Sequence, residues 1–178
     1  MNKPRRKSAA KSIALVGIMA ATLECGKLVL AMVPNVEVVT LLLALYGYVF
    51  GYLGIAAAFV FVSIEPLIYG FGTWVVSYYI YWPLVATVFW LLSKIGVKNR
   101  FVLTGVAVIL TFLFGVITSL IDIGLLSGYF DNFWYRFGVY YARGAVFYAV
   151  QILCNAALFP LLFKFLAEKL ERVKKSFI

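Results

Sequence analysis

Six apolar stretches of about the length needed to cross a bilayer occupy most of this 178-residue chain, and they constrain its fold more than any other feature. A transmembrane helix needs about 20 apolar residues at about 1.5 Å rise each. Cut at its Pro, Gly and charge clusters, the sequence yields spans over approximately 12–33, 38–54, 55–72, 73–93, 101–126 and 138–166. The cuts at 54/55 and 72/73 rest on Gly51, Gly54, Gly70 and Gly72, which turn easily but carry no charge, so hydropathy alone allows five spans or six. With 65% hydrophobic residues, 13% charged residues and a mean hydropathy of +1.00, a water-soluble fold is excluded.

Charge decides between five spans and six, because Lys and Arg accumulate on the cytoplasmic side of membrane proteins. Lys3, Arg5, Arg6, Lys7 and Lys11 precede the first span, Lys94, Lys98 and Arg100 follow the fourth, and Lys164, Lys169, Arg172, Lys174 and Lys175 end the chain. An even number of spans places these thirteen of sixteen basic residues on one side, whereas five would put one basic end outside. The expected fold is an all-α integral membrane protein, a single domain of six transmembrane helices with N and C termini cytoplasmic. Its expected location is the plasma membrane of a prokaryote. The net charge of +9 comes from the flanking clusters and reads as topology and contact with anionic headgroups, not as nucleic-acid binding. The first span follows a basic segment as a signal peptide does, but it is too long for such an apolar core and lacks a small-x-small cleavage site, so it reads as a helix of the domain.

Several chemistries fall away on residue types alone. The chain has no histidine, hence no His base or ligand, and its two cysteines, Cys25 and Cys154, have no CxxC spacing and read as packing residues. No metal, cofactor or catalytic residue is expected. There is no GxxxxGK[ST] loop, so energy for transport would come from elsewhere.

Charges inside a span cost about 2.5–3.5 kcal/mol each on insertion scales and are functional candidates by default. Five occur here: Glu24, Lys27, Glu65, Asp122 and Arg143. The six-span topology places all five in the outer halves of their helices. A proton relay strings ionisable groups through the full depth, whereas an outward-opening cavity gathers them at one depth, which is the pattern found. Around them lie Asn35 and Glu37 in the first outer loop, Trp74, Tyr78, Tyr79, Tyr81 and Trp82 opening span four, and a run of aromatics near the last outer loop that includes Trp134, Tyr140 and Tyr141. Interfacial belts account for some of these aromatics, but the group exceeds what a belt needs.

Helical spacing groups the candidates by face. Arg143, Phe147, Gln151 and Asn155 recur at i+4 in span six; Gly115, Ser119 and Asp122 share a face in span five; Phe61, Glu65, Ile68, Tyr69 and Gly72 do so in span three. Glu24 and Lys27 are i,i+3 neighbours able to pair. Mutual neutralisation between helices is the competing reading of each such pair, but three acids against two bases leave one acid over. On the inner half of span one, Ala10, Ala14, Gly17 and Ala21 form a stripe of small side chains that lets another helix approach closely, with packing inside the six-helix body as the alternative. Gly47-x-x-x-Gly51 is a weaker match of the same kind.

These features, with the strings Gly26-Lys27-Leu28, Pro34-Asn35-Val36-Glu37-Val38-Val39-Thr40 and Glu65-Pro66-Leu67-Ile68-Tyr69-Gly70-Phe71-Gly72-Thr73-Trp74, make the chain resemble the substrate-binding S components of energy-coupling factor (ECF) vitamin transporters over nearly its whole length. The resemblance implies high-affinity micronutrient binding at the outer face and association with a transmembrane coupling subunit and two ABC ATPases, which hydrolyse ATP in separate chains. It further implies docking of the coupling subunit on an Ala-rich motif matched by Ala10, Ala14, Gly17 and Ala21, and release of substrate by toppling. Cobalamin is the leading candidate substrate, its amide-edged ring suiting an aromatic mouth with Arg, Gln and Asn donors; riboflavin, a pterin or a queuosine-like base suits almost as well. A stand-alone secondary transporter, which would carry an inverted repeat not found here, and a non-transporting membrane scaffold are the alternatives.

Overall fold

The computed structural model describes residues 3–177 of the chain. Its helices are α1 (Lys3–Leu30), α2 (Val39–Phe50), α3 (Tyr52–Tyr69), α4 (Trp74–Lys94), α5 (Arg100–Leu120), α6 (Phe133–Arg143), α7 (Ala145–Leu158) and α8 (Lys164–Phe177), and no strand occurs among the described residues. A π-helical turn over Ile121–Leu126 extends α5, and another over Phe159–Phe163 joins α7 to α8. Pro160, lacking an N–H to donate, sits in the second of these wider turns. Five segments are long and apolar enough to cross a membrane: Ala9–Leu30, Tyr52–Tyr69, Trp74–Lys94, Arg100–Leu126 and Ala145–Ser176. The chain is an all-α, multi-pass membrane protein.

Two breaks fall elsewhere than glycine spacing alone indicates. The α2–α3 corner is at Gly51, not 54/55: Gly51 adopts φ +63°, its N–H closes α2 onto the Gly47 carbonyl at 3.0 Å, and the Trp90 indole fills the place of a side chain. Gly54 serves a different end, since a Cβ there would lie 2.4 Å from the Tyr46 backbone, so its absence lets α3 fold back tightly along α2. The stretch expected as one helix over 138–166 is divided at Gly144, which ends α6, while the helical run that follows continues to Phe177.

The short helix α2 organises the rest. Ten of its twelve residues are buried, among α3, α4, α5, α7 and α8. At about 18 Å it is far shorter than the hydrocarbon core of about 30 Å. The connecting chain over 31–38 leads from α1 into its first turn. That segment lies level with Phe61 and Trp82, the middles of α3 and α4. Both ends of α2 are matched to its dipole: the Glu37 carboxylate accepts from Thr40 N at 2.8 Å in the first turn, and the Lys174 ammonium donates to Val49 O at 2.6 Å in the last. At the latter end Tyr48, Phe89, Phe159 and Phe163 pack ring on ring at 5.4–5.6 Å.

Candidate functional site

The 31–38 connection, α1, α3, α4 and α7 enclose a cavity of about 250 Å³. Its apolar surface comes from Leu30, Val33, Pro34, Val36 and Val39 on one side and from Phe61, Trp82 and Phe147 on the other. Trp74, Tyr78 and Trp82 are one turn apart on α4, and their rings meet edge to face at 4.9 and 5.5 Å, forming a continuous aromatic ladder. Besides the Tyr69 and Tyr78 phenols, polar groups enter at four points: Lys27, Asn35, Glu37 and Gln151.

Lys27 is fixed from below and above. Its ammonium pairs with Glu65, which is fully buried, and lies 4.0 Å from the Tyr69 ring centre and 5.8 Å from that of Tyr78. Glu24 is buried beside Glu65, close enough to couple to it electrostatically. Both Glu24 oxygens and Glu65 Oε1 lack a hydrogen-bond partner among the described residues. Lys27 thus joins Glu65 across helices instead of Glu24 along its own, and two carboxyl groups face one ammonium.

Glu37 is held as firmly on the opposite wall. Besides capping α2, it accepts from Asn155 Nδ2 at 2.7 Å; the same amide reaches Thr111 Oγ1 at 3.1 Å, and Cys154 Sγ lies 3.3 Å from the Glu37 carbonyl. Asn155 is completely buried behind the wall, where it positions Glu37 without lining the cavity. Asn35, in the left-handed region at φ +65°, turns the loop at the cavity's edge. Cys25 and Cys154 are both free thiols.

The remaining candidates form a neighbouring depression of about 420 Å³ that shares Phe147 as a wall and includes Trp74, Asp122 and Arg143. Asp122 accepts from Tyr140 Oη at 2.7 Å. Arg143 is exposed and makes no ion pair among the described residues. The four-residue stripe expected on span six is interrupted: the break at Gly144 leaves Phe147, Gln151 and Asn155 on α7 and carries Arg143 onto α6. Trp134 projects outward, 76% exposed, its ring against those of Phe133 and Phe137. Glu24, Lys27, Glu65, Asp122 and Arg143 are gathered at one end of the bundle, but in two compartments meeting at Phe147.

Sequence spacing alone did not single out Tyr148. Its ring lies within 2.7 Å of where Cβ atoms would stand on both Gly115 and Gly144, so two glycines on two helices form its socket and set the α6–α7 bend. The Pro34–Val39 wall was equally unmarked by periodicity, since a loop has none.

At the other end of α1, Ala10, Ala14, Gly17 and Ala21 are all exposed, and a Cβ on Gly17 would meet nothing within 4 Å. The buried face of α1 is Leu15, Met19, Ala20 and Leu23, and Glu24, next at the stripe's spacing, turns inward with them. The stripe is therefore not spent on packing within the bundle. Comparison of the chain with protein families, with characterised proteins and with solved structures finds no match.

Proposed function

We propose that this chain is the substrate-binding S component of an ECF-type importer for a micronutrient, spanning the membrane six times with both termini cytoplasmic. The observation that carries the reading is the division of labour along α1: one end supplies Lys27 to an aromatic-walled cavity, while the other leaves a small-residue face uncovered. A coupling subunit docks on that face through close helix approach at Ala10, Ala14, Gly17 and Ala21, and two ABC ATPases supply the energy. In this reading α2 is the sixth crossing, short because it is sheathed by other helices.

One cation, one carboxylate and two amides around edge-to-face rings suit a neutral or zwitterionic heteroaromatic ligand oriented by a few convergent polar groups. At about 250 Å³ the cavity alone suits a compact heterocycle of the pterin kind. Cobalamin, the leading candidate, extends past Phe147 into the depression holding Trp74, Asp122 and Arg143. Purification of the protein after expression with a vitamin mixture, followed by mass spectrometry of what remains bound, tests the assignment. One planar heterocycle or corrinoid per chain is expected, with a coupling subunit and ATPases co-purifying when co-expressed. Absence of both a bound micronutrient and these partners would sink it.

A further inference from the structure

At the opposite end of the bundle from the cavity beside α1, a second cavity of about 490 Å³ lies between the α4–α5 connection, the end of α2 and α8. Five cationic side chains converge on it: Lys98, Arg100, Lys164, Arg172 and Lys175. All five are exposed, and none is in ion-pair contact with a carboxylate among the described residues. The two acids on its rim are Glu168 and Glu171, and Glu171 is already approached by Lys174 at 3.9 Å. Topology alone asks only that basic residues lie on this side. It does not require them to surround a concavity, where like charges repel.

Two further features say what fills it. Lys98 and Arg100 flank Asn99, whose side chain caps α5 by accepting from Phe101 N at 2.9 Å, so both cations stand at the positive end of a helix dipole. That placement is unfavourable unless an anion is present, and the end of a 21-residue helix is itself a good anion site. The cavity floor is apolar, made by Leu103, Phe163 and Ala167. The helical run from Ala145 to Lys164 rises about 28 Å, nearly the hydrocarbon thickness of about 30 Å, which sets Lys164 at headgroup depth with apolar surface beneath it.

We propose that this cavity binds the phosphate group of an anionic membrane lipid, with the cations holding the headgroup and Leu103 and Phe163 receiving the first acyl carbons. The site is independent of the micronutrient reading. Native mass spectrometry of the full chain in neutral detergent, titrated with phosphatidylglycerol against phosphatidylcholine, tests it. A retained phosphatidylglycerol is expected, with each of Lys98→Gln, Arg100→Gln and Arg172→Gln weakening it about fivefold. Lys169→Gln, the same charge change on α8 outside the cavity, should leave it unaltered. Glycerol phosphate and inorganic phosphate at matched concentration form the second arm and should not displace the lipid. Equal retention of the two lipids, equal losses in Lys169→Gln and the cavity variants, or displacement by the soluble phosphates would overturn the proposal.

Discussion

Lys27 is the residue on which the cavity beside α1 depends, because it joins α1 to α3 through Glu65 and presents its ammonium to Tyr69 and Tyr78. Removing it leaves a fully buried carboxylate with no counter-charge, so Lys27→Met should destabilise the protein by about 3 kcal/mol, while Lys27→Met/Glu65→Gln recovers most of that loss. Thermal unfolding in detergent, followed by tryptophan fluorescence, reads the cycle; a double variant as unstable as Lys27→Met would show that the pair is not the cause. Arg143 behaves differently because it is exposed and unpaired. Arg143→Ala should leave the unfolding temperature within a degree or two. If it serves the substrate, the variant should retain at least tenfold less of the co-purified molecule, a loss of about 1.4 kcal/mol or more. Full retention would confine the site to the compartment around Lys27.

Between elements, glycine works here by proximity, and the three cases are separable by experiment. Gly47 brings α2 against α4 so closely that a Cβ would stand 2.0 Å from the Ala86 carbonyl oxygen, and backbone cannot step aside. Gly47→Ala should therefore abolish folded protein, seen as loss of a monodisperse peak in size-exclusion chromatography. At Gly144 the obstacle is the Tyr148 ring at 2.5 Å, a side chain that can be trimmed. Gly144→Ala should cost about 1–3 kcal/mol, and adding Tyr148→Leu should relieve part of it. Gly17 has open space around it, so Gly17→Ala should be neutral or slightly stabilising through helix propensity. An unfolding temperature that falls as far for Gly17→Ala as for Gly144→Ala would contradict this account.

On the scale of the whole molecule, the two ends of α1 should be separable in function. Ala10→Leu and Ala14→Leu add bulk to an exposed face and touch nothing in the described bundle core. Under the proposed S-component reading, they should abolish uptake and co-purification of the coupling subunit while the bound small molecule is retained in full. Undiminished uptake in the double variant would mean that the small-residue face meets lipid only.

The apolar runs are legible in the sequence because a bilayer acts as an external ruler: length and hydropathy are each read against a solvent of known thickness. The α4 ladder of Trp74, Tyr78 and Trp82 and the stripe of Ala10, Ala14, Gly17 and Ala21 are legible for a related reason, since the helical period alone places them. Which charges meet is another matter. Lys27 can pair with Glu24 by local spacing, and only the packing of α1 on α3 gives it to Glu65. The position of Asn155 behind Glu37, the break that parts Arg143 from Phe147, and the burial of short α2 among the longer helices all depend on contacts between residues distant in the chain. Periodicity describes a helix's faces, but the identity of the neighbour on each face is a property of the assembled bundle.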